Sequence, residues 1–383
     1  MNKRILFIMC FVVVLLGGGV AYNCSQPSLE KMVGQMIMTG FHGDGMGQNA
    51  EDFAAIENQI KNGTVGGVIL FDVDVSGLVK SGMSMQDAKK QIFSSNIKNM
   101  QQVKQLTGHL QSIAPETLLI AIDQEGGNVQ RLKQEHGFAP IPSAKDIAKK
   151  DSKFAYDVAY DLGVRLADLG INVDFAPLLD VDVNPKSPAI GAKDRSFSPN
   201  PDVVTEFGSA FSRGLADAGV AYSYKHFPGH GSAGGDTHAG LTDITNTYRD
   251  YELKPWRDLL KDSSPYTMVM VAHVVNNNFD SLPASLSAKT IQMVRDMGFD
   301  GVIVSDDMDM GAIVNEYGID KAVQMAINAG NDILVFGNNL DFDANKGSEV
   351  NAMIVKMVQQ GEIKKSRIKE SYRRIKKLKQ HIR

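Results

Sequence analysis

Eight short apolar runs punctuate the chain: VGQMIMTG (33–40), VGGVILF (65–71), TLLIAIDQ (117–124), INVDFAP (171–177), VAYSYKHF (220–227), TMVMVAHV (267–274), GVIVSDDM (301–308) and DILVFGN (332–338). A strand with one wet face alternates apolar and polar positions, whereas a strand covered on both faces does not. Most of these runs are near-continuous, so they predict parallel strands buried on both sides. Between them, residues 152–169 and 202–218 place apolar side chains at three- and four-residue steps, and 144–150 and 288–297 do so more briefly. These predict helices. Eight strands alternating with helices predict a (β/α)8 TIM-type barrel, with a doubly wound open sheet as the alternative, since periodicity does not report closure. No Pro/Ser-rich linker or composition break divides residues 25–383, so they are read as one domain. In residues 364–383, Ile368, Tyr372, Ile375 and Leu378 share one face. They predict a packed terminal helix with a solvated basic side.

The first 24 residues stand apart. Lys3 and Arg4 precede an apolar run over 5–22, broken by Gly17, Gly18 and Gly19. That pattern predicts an export signal or a retained membrane anchor. Both cysteines lie here, and Cys24 occupies the place of a lipoprotein's acylated cysteine, with Asn23 before it. The expected location is exported, periplasmic or membrane-anchored. Without further cysteines the domain has no disulfide and no cysteine metal site. Its 43% hydrophobic and 22% charged residues suit a globular core, and the net charge of -4 argues against nucleic-acid binding.

In a barrel of this kind the chemistry gathers at the C-terminal ends of the strands. Five runs here finish in ionisable residues: Asp123 with Glu125, Asp180 with Asp182, Lys225 with His226, His273, and Asp306 with Asp307. Together they predict one polar pocket. Asp306 is assigned a functional role, and capping of the following helix is assigned to Asp307 or Asp309. Asp123 is assigned to substrate, because Gly126 and Gly127 permit close approach of a ligand.

The stretch KHFPGHGSAGGDTHAGL (225–241) holds three histidines and five glycines. A zinc site from His226, His230, Asp236 and His238 is set aside. Pro228 and Gly229 bar the helix on which His-x-x-x-His spacing has meaning, so neither metal nor cofactor is expected. Asp236 stands two residues before His238, where its carboxylate can accept a ring N–H and favour the protonated imidazole. Such a histidine suits general acid catalysis near neutral pH. His230 is assigned to loop support, and the glycines predict a mobile loop that carries His238 over the pocket.

The chain resembles glycoside hydrolase family 3, specifically its single-domain β-N-acetylhexosaminidases. The matching segments run from residue 30 to about 340: VGGVILF, AIDQEGGNVQRL, FAPLLDVDVNP with KDRSF, KHFPGHG followed by DTH, VMVAHV, PASLS and GVIVSDDM. The histidine-bearing segment separates this branch from larger members that draw a glutamate acid from a second domain. The resemblance implies that Asp306 is the nucleophile, His238 the general acid/base and Asp236 its orienting partner. It implies that Asp123, Arg131, Arg195, Lys225 and His226 contact sugar hydroxyls. The implied activity is retaining hydrolysis of terminal β-linked N-acetylglucosamine from peptidoglycan fragments or chitooligosaccharides, by a monomer whose partner is carbohydrate and not nucleic acid, attached to a membrane, if at all, through its N-terminus. Two departures stand out: Asn128 follows Gly126-Gly127 where the family has arginine, and Ser232-Ala233 replace Asp-Thr. The alternatives are a β-glucosidase or β-xylosidase, a β-N-acetylglucosamine phosphorylase, a non-catalytic sugar-binding lipoprotein, and a zinc hydrolase.

Overall fold

Each of the eight apolar runs contains a strand: β1 (Ile37–Thr39), β2 (Gly67–Ile69), β3 (Leu119–Ile122), β4 (Val173–Asp174), β5 (Ala221–Phe227), β6 (Thr267–Val271), β7 (Val302–Asp307) and β8 (Ile333–Phe336). In this computed structural model, which describes residues 27–73, 95–237, 240–339 and 341–382, the strands pair in parallel with their chain neighbours. β8 then returns to β1, with Ile37 opposite Leu334, and closes the barrel. Closure removes the open-sheet alternative. The N-terminal segment with Lys3, Arg4, Cys10 and Cys24 falls outside the described residues, as does His238. Among the described residues no helix is long and apolar enough to cross a membrane.

The predicted helices begin where polar caps satisfy their first amides. Asp151 accepts from the Phe154 N–H at 2.8 Å and opens Ser152–Asp168. Asn200 accepts from the Asp202 N–H at 2.9 Å and opens Pro201–Asp217, with proline at its first position. Ser143 and Ser287 cap Ala144–Ile147 and Ala288–Asp296. Outside the barrel, Thr242–Asp243, Val274–Asn276 and Asp280–Pro283 form a small sheet beyond the C-terminal ends of β5 and β6.

The terminal helix, Lys365–Lys379, buries Ile368, Ile375 and Leu378 as its spacing predicts. Its basic side is only partly solvated, which corrects the expectation. Arg374 and Lys379 are buried at the N-terminal end of the barrel. They are held there by Asp332 and by Gln35 with Gly66, respectively, polar partners that precede β8, β1 and β2.

Candidate active site

A cavity of about 270 Å³ opens at the C-terminal mouth of the barrel. Asp123, Glu125, Arg131, Arg195, Lys225, His226, His230, Asp236 and Asp306 all line it. Three of the five ionisable strand endings, Asp123 with Glu125, Lys225 with His226, and Asp306 with Asp307, therefore converge as expected.

Its floor is an ionic network. The buried Lys225 Nζ lies 2.9 Å from Asp123 Oδ1 and 2.6 Å from Glu125 Oε1. Glu125 accepts two hydrogen bonds from Arg195, from Nε at 2.8 Å and Nη2 at 2.7 Å, the planar fork that arginine supplies and lysine does not. Arg195 Nη1 donates to the Ala189 carbonyl at 2.8 Å. Arg131 Nη2 lies 3.4 Å from Asp123 Oδ2, and its guanidinium covers the Phe71 ring at 5.4 Å. Burial alone would raise both carboxyls, but the Lys225 and Arg131 charges outweigh it at Asp123, and Arg195 and Lys225 do so at Glu125, so both are held below their usual range. Lys225 is raised, because its two carboxylates outweigh burial. Fixed charges with matched partners present a polar surface that exchanges hydrogen bonds with hydroxyl groups at little reorganisation cost.

A second carboxylate organises the histidines. Asp180 is fully buried; its Oδ2 accepts from His226 Nδ1 at 2.7 Å, and its Oδ1 accepts the His226 and His230 backbone N–H groups at 3.3 and 2.7 Å. Burial pushes this carboxyl up, and the two histidines bring it below the usual value. His226 thus presents its other ring nitrogen, Nε2, as the one left for a ligand. Burial, reinforced by the His226 charge, lowers His230 to about 4, so it is neutral at pH 7. Its Nε2 lies 3.4 Å from Thr237 Oγ1, which fits the support role.

The first part of the loop after β5 is packed into the protein, which the glycines alone do not reveal. Residues 228–233 are buried. A Cβ on Gly231 would sit 1.7 Å from the Val181 carbonyl oxygen, so only glycine permits this approach. The Asn184 N–H donates to the Gly231 carbonyl at 3.0 Å, and the Tyr248 hydroxyl donates to the Pro228 carbonyl at 3.0 Å. The chain reaches solvent only from Gly234 onward. Asp236 faces the cavity, with its Oδ2 3.7 Å from Lys193 Nζ. The Asp236–His238 pairing itself lies outside the described residues.

At the end of β7, Asp306 faces the cavity and its Oδ1 accepts the Asp307 N–H at 2.9 Å. Neither Asp307 nor Asp309 caps the next helix, Gly311–Tyr317, whose first turn has no side-chain cap. Their carboxylates accept backbone amides elsewhere, chiefly those just after β8. Asp307 accepts from Gly337 and Asp309 N–H groups at 2.7 and 3.0 Å, and Asp309 accepts from Asn338 at 2.9 Å. Burial, with Asp309 adding its charge, raises Asp307 to about 7. His273, Asp180 and Asp182 do not line the cavity. His273 turns beneath it, its Nδ1 2.7 Å from Ser285 Oγ and its Nε2 2.9 Å from the Asp307 carbonyl. Asp182 lies beside Gly191 instead.

Glu125 and Asp180 were visible only as strand endings; nothing in the sequence distinguished them from structural carboxylates. Asp174 gave no signal at all. It is buried within β4, accepts the Gln124 N–H at 3.0 Å, and burial raises its pKa well above the usual carboxylate range.

A closed parallel barrel with its ionisable side chains gathered at the C-terminal mouth defines a (β/α)8 protein with its site in the standard place. Within that class the chain belongs to glycosyl hydrolase family 3, whose N-terminal domain matches residues 28–378. It is similar to beta-hexosaminidase A of Pseudoalteromonas piscicida, 34% identical over 317 residues, which cover 75% of this chain and 52% of that protein. The beta-hexosaminidase of Shewanella frigidimarina is 39% identical over 263 residues, 65% of this chain and 74% of the relative. Among solved structures, the family 3 beta-N-acetylglucosaminidase of a Paenibacillus species superposes with a TM-score of 0.78 at 33% identity, covering 93% of this chain and 62% of that one. The beta-N-acetylhexosaminidase of Beutenbergia cavernae gives 0.75 at 27% identity, covering 92% and 99%. The chain therefore spans about half the length of the Pseudoalteromonas relative.

Proposed function

We propose that this protein is a retaining β-N-acetylhexosaminidase that releases terminal β-linked N-acetylglucosamine from peptidoglycan fragments or chitooligosaccharides. The observation that carries the reading is the position of Asp306: it faces the same cavity as Asp236 and as the Asp123, Lys225 and Arg195 network. The names of the relatives support the substrate class. In this reading Asp123, Arg131, Arg195, Lys225 and His226 grip the sugar hydroxyls. His238, oriented by Asp236, protonates the leaving oxygen while Asp306 bonds to the anomeric carbon. Water, deprotonated by His238, then breaks that bond with overall retention. An imidazole titrates near 6.5, so it needs less tuning than a carboxylic acid for this task. The basic and apolar residues that open the chain support export, with Cys24 as the acylation site.

The test compares p-nitrophenyl β-N-acetylglucosaminide with the β-glucoside and β-xyloside, each with and without phosphate. Turnover confined to the N-acetylglucosaminide and indifferent to phosphate is expected. Preference for another sugar, or a sugar phosphate as product, sinks the reading; no turnover at all points to a binding protein. A GlcNAc-anhydroMurNAc fragment set against chitobiose then resolves the natural substrate.

A further inference from the structure

We propose that His273, Ser285 and Asp307 form a clamp that sets the carboxylate of Asp306 for attack, with His273 and Asp307 as positioning residues. This rests on Asp306 being the nucleophile, as proposed above. The parallel ladder from β7 to β8 is irregular between Val304 and Asp307, so regular strand pairing does not fix residue 306. The ladder resumes at Asp307, opposite Val335, and further bonds hold that residue.

A carbonyl oxygen only accepts, so the His273 proton sits on Nε2, which donates to the Asp307 carbonyl at 2.9 Å. Nδ1 is then an acceptor, and the Ser285 hydroxyl donates to it at 2.7 Å. Both side chains are fully buried, which removes water as a competing partner. Ser285 is itself held from two sides: its N–H donates to the Ala272 carbonyl at 3.0 Å, and Asn331 Nδ2 donates to its carbonyl at 2.8 Å. On the opposite side, the Asp307 carboxylate accepts the Gly337 N–H at 2.7 Å. A Cβ on Gly337 would lie 2.3 Å from Asp307 Oδ2, so the carboxylate rests directly against that backbone.

Asp307 is thereby fixed at its carbonyl and its carboxylate. Its remaining polar group, the N–H, donates to Asp306 Oδ1 at 2.9 Å. One oxygen of Asp306 is engaged by a clamped amide, and the other, Oδ2, is the one that bonds to the anomeric carbon. A loss of orientation on the order of 1 Å at a reacting group costs about 100-fold in rate.

The experiment follows covalent labelling by 5-fluoro-β-N-acetylglucosaminyl fluoride, whose anomeric fluoride departs as the Asp306 oxygen bonds to C1. The full chain is used, with intact mass and peptide mapping as readouts. Wild type labels at Asp306. His273→Phe removes both hydrogen bonds and is expected to lower the maximal labelling rate about 100-fold, with the half-saturating concentration within about twofold. His273→Gln, whose amide N–H₂ reaches the position of Nε2, is expected to recover at least about tenfold of that loss. Ser285→Ala is expected to slow labelling about fivefold, and it carries the test if His273→Phe does not fold. A wild-type labelling rate in either His273→Phe or Ser285→Ala overturns the clamp, as does a weaker half-saturation with an unchanged rate. Wild type that labels at another residue removes the Asp306 reading and the clamp together, and that failure is visible before any variant is made.

Discussion

The two ends of the barrel are built from the same materials. At the C-terminal mouth, the partly buried Asp123 and the buried Glu125 pair with Lys225, Arg131 and Arg195. At the N-terminal end, Asp332 is buried against Arg295 at 2.9 Å, Arg374 at 3.4 Å and Arg367, and it also accepts from Ser371 Oγ at 2.8 Å. In both places cations hold a carboxyl below its usual pKa against the upward push of burial. A displaced pKa therefore marks both ends equally, although only one is a site candidate. Access separates them. The upper cluster borders a cavity of about 270 Å³, whereas the lower one is sealed by the terminal helix through Ile368, Ile375 and Leu378.

The sharpest way to break this comparison is to remove one carboxylate at each end. Asp306→Asn is expected to cut kcat at least about 1,000-fold, as loss of a nucleophile does, with a urea midpoint close to wild type. Asp332→Asn is expected to cost about 3–5 kcal/mol of stability, because the buried Arg374 and the largely buried Arg295 and Arg367 lose their counter-ion. The kcat of its folded fraction should be unchanged. Urea unfolding and a chromogenic assay on both variants decide the matter. A loss of kcat in folded Asp332→Asn would mean that the lower cluster reaches the site.

The sequence disclosed these ends unequally. The strands were legible because burial on both faces erases alternation, and the endings at Asp123, Lys225, His226 and Asp306 followed from strand direction. The Glu125–Arg195 fork was not legible, since 70 residues separate its partners. Capping by Asp307 or Asp309 was a local reading, and the amides that won these carboxylates belong to Gly337 and Asn338, about 30 residues away. The spacing of Ile368, Ile375 and Leu378 announced a packed helix. The burial of Arg374 depends on Asp332, which no local pattern reveals.

The upper end also contains a sealed part, and a glycine tests it. Gly231→Ala places a methyl group against the Val181 carbonyl and displaces the segment that holds His230 on Asp180. Overpacking of this kind costs about 1–3 kcal/mol, and kcat/KM is expected to fall about tenfold. Gly234→Ala meets nothing within 4 Å and is expected to change neither quantity. Equal behaviour of the two variants would show that the whole loop yields as one piece.

The effect confined to one pH window belongs to Lys379, and it asks whether the lower end is dry. Burial lowers its pKa from 10.5 to about 7. Its Nζ lies 2.6 Å from Gln35 Oε1 and 2.9 Å from the Gly66 carbonyl, two acceptors that match the two hydrogens of a neutral amine. Between pH 7 and about 10.4 the unfolded chain holds a proton that the native state has released. Stability from this group therefore rises with pH across that window, and it is constant below pH 7, where both states are charged. Lys379→Met removes the dependence. The stability of wild type relative to this variant, measured in urea, should climb between pH 7 and 9 by up to about 1.4 kcal/mol per pH unit. A difference independent of pH would mean that the amine keeps its proton in the fold. Water or an anionic partner would then reach it, and the seal that distinguishes the lower end from the mouth would be lost.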